Sequence, residues 1–269
     1  MSNASFGSRG IAAPGSIVSV FANGLGSKDQ LTGFPATNFQ GVAVSFGGRS
    51  APLFHLTPGF GQLDLLVPSE LPTSGTVDVQ LTTPTGTSNY PLLLASAVPA
   101  FYRLADPFNA KRVNVIAQFS GTAWLALPAS MAFNLNVPGN CTERKADPAA
   151  VCVQPAAIGD YLVLYATGLG KATPNGDPNG PPLPTGAIPP ANGSVLYQTV
   201  ISPTITIGGV PAAVLYSGLA PGFPGLYQVN VQVPNGVAAG DEVPVVLSLP
   251  GAASDNSVTL AVRPRLGPP

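Results

Sequence analysis

Residues 161–171 read YLVLYATGLGK, an apolar run of β-branched and aromatic residues that ends in Gly168-Leu169-Gly170-Lys171. A glycine pair before a lysine invites comparison with a phosphate-binding loop. Such a loop needs a glycine five residues before the final Gly-Lys, a Ser or Thr after the lysine, and a helix whose N-terminus points at the anion. Tyr165 and Ala172 occupy those two positions, and Pro174, Pro178, Pro181, Pro182, Pro184, Pro189 and Pro190 exclude a following helix. The glycines need another cause.

Internal repetition supplies one. GSIVSVFANGLGS (15–27) aligns without a gap on GDYLVLYATGLGK (159–171). Downstream, residues 42–83, which contain VAVSFGGRSAPLFHLTPGFGQLDLLVP, echo residues 203–249, which contain TITIGGVPAAVLYSGLAPGFPGLYQVNVQVP. Both halves run in one order: strand, Gly-Leu-Gly turn, strand, Gly-Gly turn, strand, Pro-Gly-Phe, strand, Val-Pro, and a last pair of strands. Gly47-Gly48 and Gly208-Gly209 each separate two apolar runs, as a tight hairpin requires. In the second half Tyr227, Val229, Val231 and Val233 alternate with Gln228, Asn230 and Gln232. In the first half Leu63, Leu65 and Val67 alternate with Gln62 and Asp64, and this period of two predicts half-buried strands with the polar set outward. The expected fold is all-β, two tandem antiparallel sandwiches of about seven strands each.

Composition agrees. Charged residues make up 9% of the 269 residues, against about 25% in ordinary domains, while thirty-one glycines and thirty-one prolines interrupt any helix. Eleven basic residues and a net charge of −1 cannot form the basic stripe that nucleic acid demands. Mean hydropathy is +0.31, yet no run approaches the roughly 18 to 20 apolar residues of a spanning helix. Membrane insertion is not expected. The opening MSNASFGSRG carries no apolar signal-peptide core and reads as a processed or trimmed start.

Cys141 and Cys152 flank a polar, proline-containing segment, and the sole histidine, His55, lies far away in sequence, so a disulfide is favoured over a zinc site. Closing that loop would stabilise the fold by about 2 to 3 kcal/mol and points outside the cytosol.

The ordered motifs in 14–95 and 157–262 resemble the IPT/TIG class of immunoglobulin-like domains. The second half is similar to a C-terminal domain of large secreted acidobacterial proteins. The resemblance implies early-set immunoglobulin-like sandwiches, an extracellular location and no catalytic residues to carry over; the cysteine loop departs from the family's short linker. Domain boundaries are placed at 1–96 and 97–269. Val113–Phe119 and Thr122–Leu127 form a hairpin around Ser120-Gly121 that, with the cysteine loop, is assigned to the second domain.

Candidate sites are few. His55 lacks a Gly-x-Ser-x-Gly partner and reads as structural, with Tyr216 at the matching place. Asp64 and Asp78 fall on adjacent strand candidates but read as solvated single acids, not a glycosidase pair. NGDPNG (175–180) offers oxygen ligands like half a calcium loop, without the downstream acid, and reads as a turn. Trp124, Tyr102, Phe101 and Phe108, in the segment between the repeats, could stack on sugar rings or fill an interdomain core. The expected function is a non-catalytic spacer, surface or adhesion module contacting a protein or polysaccharide, without metal or cofactor. The alternative is a carbohydrate-binding accessory domain of a larger secreted enzyme.

Overall fold

A computed structural model describes residues 10–26, 30–106, 109–139, 141 and 149–264. The first sandwich pairs Ile17–Phe21, Gln62–Leu66, Leu53–Thr57 and Gln30–Leu31 in that spatial order. Its second sheet runs Ile11–Ala12, Gly86–Leu94, Gly75–Thr83, Val42–Phe46 and Asn38–Phe39. Alternation fixes which side chains meet between them. Val42, Val44 and Phe46 come from one sheet and Leu53, Leu56, Leu63 and Leu65 from the other, all in one buried cluster.

The second sandwich repeats the plan. Tyr161–Thr167, Tyr227–Gln232, Val214–Leu219, Tyr197–Thr199 and Ala172–Pro174 are neighbours in one sheet. Val258–Arg263, Gly240–Leu249, Thr204–Ile207 and Val210–Ala212 are neighbours in the facing one. Its core holds Leu162, Leu164, Val229, Val231, Ile205, Ile207, Val245 and Leu247. Even the irregularities recur. The register shifts between Leu53 and His55 in the first half and between Val214 and Tyr216 in the second, so that His55 faces Asp64 and Tyr216 faces Asn230. Each half also ends on a parallel pairing, Ile11–Ala12 against Leu93 and Leu94, and Ala156–Ala157 against Val262 and Arg263. The protein is a tandem of two immunoglobulin-like antiparallel sandwiches.

Three expectations need correction. Asp64 and Asp78 are not on adjacent strands, because Gln62–Leu66 and Gly75–Thr83 lie in different sheets. Asp64 is not solvated either; it is 7% exposed. The hairpin around Ser120-Gly121 forms, with Gln118 opposite Leu125, but its first arm is not one strand. Asn109–Val115 joins the sheet of Val258–Arg263, whereas Ala117–Phe119 pairs with Leu162–Leu164 in the other sheet. The chain changes layers at Ile116. Val115, Ala117, Phe119 and Ala126 all enter the core of the second sandwich.

The Gly-Leu-Gly turns now have a physical reason. Gly168 and Gly170 sit at φ 73° and 85°, where side-chain-bearing residues are strained. A Cβ on Gly170 would stand 2.6 Å from the carbonyl oxygen of Ser96, and one on Gly168 would collide with that of Val98. The chain enters the second sandwich pressed against this turn, and Val98 N–H donates to Gly168 O at 2.9 Å.

Candidate functional site

The most elaborated polar contacts lie where the tip of the second sandwich meets the base of the first. Ile17 begins the first strand of one sheet, and its backbone N–H donates to Thr167 Oγ1 of the second sandwich at 2.8 Å. Beside it Gly225 comes so close that a Cβ would lie 2.5 Å from Leu66 Cδ1 and 2.8 Å from Ile17 Cγ1. Apolar contact and a hydrogen bond thus share one spot.

The proline-rich segment 178–190 forms a strap over the joint. Ser69 Oγ donates to Leu183 O at 2.7 Å, and Ser69 N–H donates to Thr185 Oγ1 at 2.8 Å. Thr185 then closes on Glu70: its N–H reaches Oε1 at 2.8 Å and its hydroxyl reaches Oε2 at 2.5 Å. Burial pushes the Glu70 carboxyl up, but the Thr185 bonds and the Arg49 charge outweigh it and hold the group below the ordinary carboxylate range. A cleft of about 290 Å³ remains in the joint, lined by Pro14, Leu66, Glu70, Lys171, Pro182 and Tyr227 among others.

Asp64 lies on the outer face of its own sheet and is buried nonetheless. Ser19 Oγ and Gln62 Nε2 donate to Asp64 Oδ1 at 2.8 and 2.9 Å. Burial, with the Asp64 charge adding to it, drives the Tyr102 phenol well above its ordinary range, so the connector's Tyr102 lies within the field of the first sandwich. Register also sets Ser19, Asp64 and His55 in one row across three strands. That row is not a hydrolase relay. A triad needs the imidazole between nucleophile and acid, whereas here the acid stands in the middle and His55 Nδ1 lies 3.3 Å from Thr57 Oγ1.

The three described aromatic candidates have different surroundings. Phe101 is 2% exposed and part of the second core. Trp124 packs on the margin of that core, edge-on to Phe119 with centroids 6.4 Å apart. The Tyr102 phenol lies within reach of the Asp64 charge, and its N–H donates to Tyr165 O at 2.9 Å. Phe108 lies outside the described residues. In NGDPNG, Asn179 N–H binds Asp177 Oδ1 at 2.9 Å and Thr173 Oγ1 donates to Asp177 O at 2.7 Å, the bonding of a self-closed turn. Lys171 Nζ donates to Pro178 O at 2.9 Å, so the lysine steadies this loop.

Cys141 and Cys152 are joined, with Cα atoms 5.6 Å apart, and both are fully buried. The bond ties the chain after the short helix Met131–Leu135 to the strand Val153–Gln154. Met131, Ala132, Leu127 and Val153 form a small apolar cluster there. No helix among the described residues is long and apolar enough to cross a membrane.

The joint residues Ser69, Glu70, Thr167 and Thr185 were not anticipated. Their trace in the sequence is the extra length between Lys171 and the strand Thr204–Ile207, which the first repeat lacks.

No protein-family model matches the chain, and no curated protein does. Among solved structures, the titin immunoglobulin tandem A164-A165 is 11% identical, with 95% of this chain and 93% of that one covered and a TM-score of 0.23. The titin I9-I11 tandem is 9% identical over 94% of this chain and 62% of that one, TM-score 0.23. An endo-fucoidan hydrolase of glycoside hydrolase family 107 is 11% identical over 96% of this chain and 28% of its own, TM-score 0.17. The fold assignment rests on the strand pairings above.

Proposed function

We propose that the chain is a non-catalytic pair of IPT/TIG-type modules, divided between residues 96 and 97, that works outside the cytosol as a fixed-angle spacer or adhesion element in contact with protein or glycan. The observation that carries this reading is the joint. The hydrogen bonds Ile17–Thr167, Ser69–Leu183 and Ser69–Thr185, and the two that Thr185 donates to Glu70, reach across it. Domains merely strung on a linker have no need of such contacts, and domain motion is otherwise the default. The Cys141–Cys152 disulfide supports an oxidising compartment.

Backbone 15N relaxation tests the reading. A single overall tumbling time for both sandwiches, with Thr185→Val loosening their mutual orientation, is the expected result. Two independent tumbling times in the unaltered protein would overturn it.

A further inference from the structure

On the outer face of the sheet containing Tyr161–Thr167, Thr167 takes part in the joint, and the side chains from Tyr165 to Tyr161 enter none of the contacts described for it. Leu162, Leu164 and Ala166 of that strand, and Tyr227, Val229 and Val231 of the next, point into the core. The intervening residues therefore stand on the opposite face, and residues paired across strands share it. One row runs Tyr216, Asn230, Val163, Gln118. The rows on either side carry Gln228 beside Tyr165 and Gln232 beside Tyr161. Three phenols and four amides share one face, and none of the described residues paired in these rows is charged.

Two of the tyrosines are held by their hydroxyls. Tyr165 donates to Gln118 Oε1 at 2.6 Å, which draws its phenol across to the neighbouring strand. Tyr216 donates to Leu219 O at 3.3 Å, and its hydroxyl lies where a Cβ on Gly218 would come, 2.5 Å away. Gly218, two residues on and on the same face, lacks a positive φ; its missing side chain makes room for the Tyr216 phenol to extend along the sheet, and for the carbonyl of Tyr197. Between these tyrosines Asn230 Oδ1 is buried and has no hydrogen-bond partner among the described residues. A buried acceptor in that state costs free energy until a donor reaches it. Tyr161, at the end of the strip, is 51% exposed.

We propose that this face binds an uncharged polysaccharide chain, whose C–H faces stack on Tyr216, Tyr165 and Tyr161 and whose hydroxyls donate to Asn230 and exchange hydrogen bonds with Gln228 and Gln232. Charge selects the partner. A face of neutral donors and acceptors has nothing with which to pair a carboxylate or sulfate, while aromatic rings with a few placed polar groups suit sugar rings. Burial holds the phenols of Tyr165 and Tyr216 above their ordinary range, so both stay neutral hydroxyls under physiological conditions. The proposal rests on the glycan-contact part of the function proposed above and gives it a site.

Affinity electrophoresis through gels containing glucan, xylan or mannan, with alginate as the acidic comparison, tests it. Retardation by at least one neutral polymer and not by alginate is expected. Tyr216→Ala and Tyr165→Ala should each weaken binding about tenfold, and Tyr216→Phe, which keeps the ring, far less. Oligosaccharide of the retarding type, titrated into the unaltered 15N-labelled protein, should shift the amides of Tyr161, Gln228 and Gln232, a readout that no folding defect can imitate. Failure to bind any neutral polymer, retardation by alginate alone, or shifts confined to other surfaces would overturn the proposal. Such a failure with a single tumbling time leaves the spacer standing, and binding with two tumbling times removes the spacer alone.

Discussion

Ile17 N–H and Thr167 Oγ1 meet at 2.8 Å although 150 residues of chain separate them, and Thr167 Oγ1 lies 3.4 Å from Gly225 O. One hydroxyl thus links the strand Ile17–Phe21 of one sandwich to the strand Tyr161–Thr167 and the Gly225 turn of the other. An isolated donor at the start of Ile17–Phe21 has found its acceptor in a different core, which makes the joint part of the folding of both halves.

Thr185→Val tests the strap. The substitution keeps shape and removes the hydroxyl bonded by Ser69 N–H and bonding Glu70, and it should lower denaturant stability by about 0.5 to 1 kcal/mol. Because Glu70 is held below the ordinary 4.5, its contribution is present above that unfolded value and is lost as pH falls through the lower folded one. The group is mostly exposed, so the effect should shrink with added salt. Equal loss at pH 3 and pH 7 in wild type and variant would count against the Glu70 contact.

Gly170→Ala and Lys171→Ala separate architecture from phosphate chemistry. The alanine methyl at 170 meets Ser96 O at 2.6 Å with φ at 85°, and should cost about 2 to 3 kcal/mol. Lys171→Ala removes an exposed bond to Pro178 O and should cost under about 0.5 kcal/mol. Urea midpoints measured side by side decide between them.

Alkali should unfold the protein cooperatively. Burial lifts the Tyr227 phenol, and burial followed by the Asp64 charge lifts that of Tyr102, both far above the ordinary 10.0. A raised folded value means that stability is intact below pH 10 and falls as pH rises beyond it, since only the unfolded chain releases those protons. Absorbance at 295 nm should show these two of the seven tyrosines ionising together with loss of the fold. Smooth titration of all seven in a folded protein would refute this.

Removing the disulfide with Cys141→Ser and Cys152→Ser together should cost about 2 to 3 kcal/mol. The loss should be local. Amide protection should fall around Met131–Leu135 and Val153, and remain in Leu162–Leu164 and Val229–Val231.

The cores were legible because alternation reports which side of its own sheet a residue occupies. Leu63, Leu65 and Val67, like Val229 and Val231, are buried as their period requires. What alternation cannot report is the neighbour on the other side. Asp64 holds an outward place and is covered all the same, bonded by Ser19 and Gln62 and with the Tyr102 phenol within reach of its charge. Ile116 was invisible for a related reason: an apolar run reads the same whether it stays in one sheet or passes to the next. The disulfide was readable from spacing, whereas Ser69, Glu70 and Thr185 are ordinary loop residues until the strap brings them together.

Gly225 carries one more consequence. A duplicated domain whose tip fits its own base would add copies without end, since a head-to-tail contact that does not close makes a fibre. Here the two bases differ. Where Ile17 and Leu66 receive Gly225, the second sandwich presents Tyr161 opposite Gln232, and Asn235-Gly236 follow its Val-Pro in place of Ser69-Glu70. The first repeat, for its part, has no strap to offer. The two copies have thus diverged at the very positions this contact uses, and the base of the second sandwich lacks the pair that receives Gly225 in the first.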